Sequence, residues 1–156
     1  MIDYAIVLVL APKQNGIDQI TTALKRYHPV TSLHVIAHGT PGCLYLGNTE
    51  LSLDTVADYA DSLQLWLPFP NSTLVLYGCR VAAGDAGSEF MERLHQLTGA
   101  AIAASTTPVG SSSLNGNWHL DVTTPHNQTV ALCFQDQVLQ TDSGISNAGG
   151  NVLNVC

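Results

Sequence analysis

Residues 33–42 read LHVIAHGTPG, and residues 74–84 read LVLYGCRVAAG. Each opens as an apolar run, interrupted in the first only by His34, the pattern of a strand buried on both faces. Each run then closes on a reactive side chain beside a glycine: His38-Gly39 in the first, Gly78-Cys79 in the second. Buried strands of open α/β sheets present their functional groups at their carboxyl ends. These two runs therefore decide both the fold class and the place where chemistry would sit.

Working outward, residues 4–10 form a third apolar run rich in β-branched residues, broken by Pro12 and Gly16. Ile17, Ile20, Ala23, Leu24 and Tyr27 recur at helical spacing, and Pro29 ends that helix. The short runs 43–46 and 50–53 flank Gly-Asn-Thr and predict a small hairpin. Residues 53–67 read as a helix stopped by Pro68 and Pro70. A further helix is predicted over 85–97, with Asp85 as N-cap and Gly99 at C′. Residues 101–106 give the next strand. Strands alternating with helices predict an α/β domain with a mainly parallel sheet and helices on both faces, a three-layer sandwich. Residues 118–123 and 129–134 predict a C-terminal β-hairpin at a sheet edge. From Asp142 the chain turns to Ser, Gly and Asn, so the domain is placed at 1–141 and a flexible tail at 142–156.

The 156 residues are 46% hydrophobic and only 11% charged, enough for one domain with a sizeable core. A net charge of −7 with no basic cluster argues against nucleic acid. No apolar run approaches bilayer length. The N-terminal run is short, follows Asp3 and lacks a basic region, so it reads as a strand rather than a signal peptide. That leaves a cytoplasmic location or export without a cleavable signal. Cys43, Cys79, Cys133 and Cys156 allow three disulfide connectivities. Without an export signal they are expected as mostly free thiols, with Cys43 and Cys133 structural. The two matches to a glycosylation pattern, at Asn71 and Asn127, are read as chance on the same ground.

If the two opening strands are neighbours, their axes lie about 4.8 Å apart and His38 and Cys79 can meet at matching ends. A thiolate is the attacking species, and a nearby imidazole can take the thiol proton or stabilise the anion. Gly39 and Gly78 allow close backbone approach, and the Gly39 and Cys79 N–H groups can face a developing oxyanion. This is the logic of acyl transfer by a Cys-His dyad. The blander reading is that a free cysteine is most often core packing. Zinc at His34 and His38 is set aside, because four residues of strand span about 13 Å. No metal and no cofactor are expected. Arg80, Ser105 and Thr106, with Thr107, are expected to border a substrate cleft at the carboxyl edge. An Arg at position 80 can read an acidic group, although such a residue is more often a solvated charge.

An apolar strand ending in His-Gly, followed by one ending in a small residue and Cys, resembles the caspase-like (clan CD) cysteine peptidases, among them caspases, gingipains, separase and the bacterial CHAT domains. Their His precedes their Cys, as His38 precedes Cys79, and the caspase separation of roughly 50 positions is close to the one here. The resemblance implies a caspase-like sandwich, a His38–Cys79 dyad and a peptide or protein substrate. The sequence YGCRVAAG departs from the caspase signature around its cysteine, so caspase-type aspartate specificity is not implied. The blocks LHVIAHGTPGCLYLGN, YADSLQLWL, LVLYGCRVAAGDAGSEF, LTGAAIAAST and GNWHLDV also resemble an uncharacterised domain near the N-terminus of large bacterial adhesin- or haemolysin-like repeat proteins. Two functions follow as expectations: a cysteine endopeptidase or self-processing peptidase, or a catalytically silent interaction module with the same fold.

Overall fold

The computed structural model describes residues 6–27, 29–109 and 120–125, together with the backbone of 151–155. The elements run β1 (Ile6–Leu10), α1 (Gly16–Arg26), β2 (Ser32–Ile36), β3 (His38–Thr40), β4 (Cys43–Leu46) and β5 (Thr49–Ser52). A 3-10 turn (Val56–Tyr59) leads into α2 (Ala60–Trp66), followed by β6 (Thr73–Tyr77), α3 (Gly84–Thr98), β7 (Ala101–Ala104), β8 (Val122–Thr124) and β9 (Asn151–Val155). The large sheet has the order β1-β9-β2-β6-β7-β8, and β3-β4-β5 form a small antiparallel sheet.

The central apolar runs fold as the pattern predicts. β2 and β6 are adjacent and parallel, with Leu33 opposite Leu74 and Ile36 opposite Tyr77, and β7 lies parallel on the far side of β6. Through the intervening antiparallel β9, β1 runs the same way as β2. Four of the six described strands of the large sheet thus share one direction, and the fold is α/β. Leu33, Val35, Leu74, Leu76 and Ile102 face one side and pack with Ile17 and Ile20 of α1, Leu63 and Trp66 of α2, and Phe90, Met91 and Leu94 of α3. Ile36, Val75, Tyr77, Ala103 and Val109 form a smaller cluster on the other side.

Of the expected two helical layers, the described residues give one: all three described helices pack on one face. The cause is strand order. β1, β2, β6 and β7 are met across the sheet in chain order, so every crossover steps the same way. Crossovers of one hand then deliver each of these helices to one side.

Smaller differences have local causes. The Thr55 hydroxyl accepts from the Ser52 N–H and donates to the Glu50 carbonyl, closing a turn that delays the helix expected from 53. α3 begins at Gly84, so its N-cap is Ala83, and Asp85 lies in the first turn beside the positive end of the helix dipole. Gly99 does end α3, with φ 73° and its N–H bonded to the His95 carbonyl. Of the predicted C-terminal hairpin, Val122–Thr124 pairs antiparallel with β7, and residues 129–134 lie outside the described residues. Of the tail expected over 142–156, residues 142–150 and 156 lie outside the described residues. Residues 151–155, expected to be mobile, instead form β9, hydrogen-bonded on both sides to β1 and β2.

Candidate active site

His38 and Cys79 each lie two positions past the last register pair of β2 and β6, Ile36 and Tyr77. The Ala37 N–H still donates to the Tyr77 carbonyl at 3.4 Å, so the two chains stay together as the strands end. Gly39 then passes against the Cys79 peptide. A Cβ built on Gly39 would stand 3.1 Å from the Cys79 carbonyl oxygen, 3.2 Å from its nitrogen and 2.5 Å from Val81 Cγ2. Val81 is fully buried and stiff at χ1, so glycine is what allows this approach. Gly39 belongs to the small sheet, where the preceding His38 is exposed and stands opposite Tyr45.

The turn after β6 is held from two sides. The Gly42 N–H, in the β3–β4 connection, donates to the Val81 carbonyl at 2.9 Å. From the end of β7, the Thr107 carbonyl accepts from the Arg80 N–H at 3.1 Å, and the Ser105 carbonyl accepts from the Ala82 N–H at 3.0 Å. Arg80 has φ 58°, in the left-handed region that few non-glycine residues occupy. Such conformations persist only where surrounding contacts enforce them, and they gather at functional sites.

Cys79 is half-buried. Its thiol donates to the Val109 carbonyl at 3.5 Å, and the Val109 N–H donates to its sulfur at 3.4 Å. No hydrogen bond joins the His38 ring to the Cys79 sulfur. Cys43, the other described free cysteine, is buried with its thiol 3.4 Å from a Glu50 carboxylate oxygen. Burial pushes that thiol above its ordinary pKa, the setting of an inert structural cysteine.

The expected substrate-contact residues divide. Arg80 is exposed at the carboxyl edge beside Cys79. Ser105 is fully buried, its hydroxyl spent on Thr107, whose N–H and side chain both reach it. Thr106 gives its N–H and hydroxyl to the Asp121 carboxylate. Ser105 and Thr106 therefore brace the Cys79 turn rather than line an open cleft. Sequence reasoning missed Val109 and Asp121: the first acts through the path of the chain after β7 back to Cys79, the second through the β7–β8 register that sets Ala104 opposite Val122. A cavity of about 500 Å³ between α1 and Leu8 shares no residue with this corner.

His34, two residues earlier on β2, is fully buried and belongs to a different arrangement. Its Nε2 lies 2.9 Å from the Ser32 hydroxyl, which accepts from Thr73, and its Nδ1 lies 3.4 Å from the Tyr77 hydroxyl. Desolvation lowers its pKa to about 4.

A family model described as a domain of unknown function, DUF4347, matches residues 2–145. The chain belongs to the DUF4347 family. No curated protein and no solved structure matches it. In this DUF4347 domain the match spans both β2 and β6 and every residue named above at the Cys79 corner. Among the described residues, no helix is long and apolar enough to cross a membrane.

Proposed function

We propose that this DUF4347 domain is a cysteine endopeptidase or self-processing peptidase of caspase-like type, with Cys79 as nucleophile and His38 as general base and acid. The observation that carries the reading is the contact of the Gly39 backbone with the Cys79 peptide at the carboxyl ends of adjacent parallel strands. That contact brings an imidazole-bearing segment and a half-buried free thiol to one corner. The Gly39 and Cys79 N–H groups are the candidate oxyanion donors. Arg80 is the candidate contact for an acidic substrate group. The missing His38–Cys79 hydrogen bond is compatible with this role, since catalytic hydrogen bonds are often long or misaligned before substrate binds.

A second reading, a catalytically silent interaction module, draws on the same thiol's engagement with the Val109 backbone. Cleavage separates the two. The chain is incubated with a mixed peptide library and with itself, and products are followed by mass spectrometry. The peptidase reading expects cleavage that falls about 10²–10⁴-fold in His38→Ala and vanishes in Cys79→Ala. Products identical in all three chains, or none, favour the module.

A further inference from the structure

The segment after β7 reads Ser-Thr-Thr-Pro-Val over residues 105–109. Pro108 has no N–H and biases Thr107 toward extended backbone, so this stretch leaves the strand as a rigid strap. Apart from the Ser105–Thr107 bonds inside the strap, its polar contacts bind it to one of two things. Through the Ser105 and Thr107 carbonyls and both backbone groups of Val109 it grips residues 79–82. Through the N–H and hydroxyl of Thr106 it is tied to Asp121, whose two carboxylate oxygens take one bond each. Burial works to raise the Asp121 pKa, but the bonds from Thr106 and its own backbone outweigh it and hold the carboxyl below its ordinary value.

The Val109 pair fits a thiol, which has one proton to give and lone pairs to receive. A thiolate has no proton for the Val109 carbonyl, so a sulfur that reacts must leave this seat or lose one of its bonds. We infer that residues 105–109 are a latch that seats the resting Cys79 thiol, and that Asp121 is the positioning residue that holds the latch closed through Thr106. The inference rests on the proposed function only in taking Cys79 as the group that reacts. Opening the strap frees the sulfur from Val109. Closing it keeps the thiol on Val109.

The test is a short iodoacetamide pulse on the full chain near neutral pH, with peptide mapping of Cys79 and of Cys43 as internal reference. Asp121→Ala and Thr106→Val each remove a tie and should speed Cys79 alkylation about three- to tenfold, the weight of a hydrogen bond or two. Thr106→Ser keeps the hydroxyl and should keep the original rate. Thr106→Val retains the backbone bond to Asp121, so it carries the test if Asp121→Ala does not fold. A Cys79 rate unchanged within about twofold in the folded variants, less than one hydrogen bond's worth, overturns the latch. So does a parallel rise at Cys43, which would report general loosening, or a rate in Thr106→Ser equal to that in Thr106→Val. Peptide cleavage plays no part in this readout, so the latch and the peptidase reading fail separately.

Discussion

At the residue scale, the two histidines of HVIAH have opposite fates although they are four positions apart on one run. His34 is enclosed by the sheet and met by the Ser32 and Tyr77 hydroxyls, with Thr73 bonded to Ser32 behind it, while His38 is exposed beyond the strand end. Nothing in their identities separates them; their positions along the strand do. The buried ring makes a prediction. Below about pH 6.5 an unfolded chain takes up a proton at His34 that the folded chain refuses until about pH 4. Stability contributed by the neutral ring is therefore whole above pH 6.5 and is lost as pH falls through that window, by up to about 1.4 kcal/mol per unit. Melting temperatures at pH 7 and pH 5 should show the drop, and His34→Gln should shrink it. An equal drop in both chains would place the titration on other groups.

At the element scale, the apolar runs over 33–38 and 74–79 were legible because a strand buried on both faces leaves a near-continuous apolar signature. The small hairpin and the Gly99 helix stop were legible for equally local reasons. β9 was not. Residues 151–155 read Asn-Val-Leu-Asn-Val after a Gly-rich stretch, and only the gap between β1 and β2 gives those five residues a reason to be a strand. The cost of losing it can be foreseen. β9 supplies β1 with its pairing to the rest of the large sheet. A chain ending at residue 150 should lose amide-exchange protection across Ile6–Leu10 while β6 and β7 keep theirs. Hydrogen exchange read by mass spectrometry decides it: undiminished protection in β1 would return residues 151–155 to the role of a loose tail.

At the scale of the whole molecule, the α/β class and the meeting of the His38 and Cys79 segments follow from pattern alone, whereas the layering does not. Amphipathic spacing says that a helix covers a sheet face; it does not say which face. That is fixed by the order β1, β2, β6, β7 across the sheet, which also removes the reversal of strand order where α/β sheets ordinarily open a ligand crevice. The candidate site is built instead where β3 on one side and residues 105–109 on the other close on the turn after β6. The central claim is that Cys79 and His38 work as a pair in that corner. The most direct measurement is the rate of Cys79 alkylation in the native chain and in His38→Ala, with Cys43 mapped in the same digest. The account predicts that Cys79 labels faster than the buried Cys43, that His38→Ala slows Cys79, and that Cys43 is indifferent to the change. A Cys79 rate that ignores His38 would contradict it.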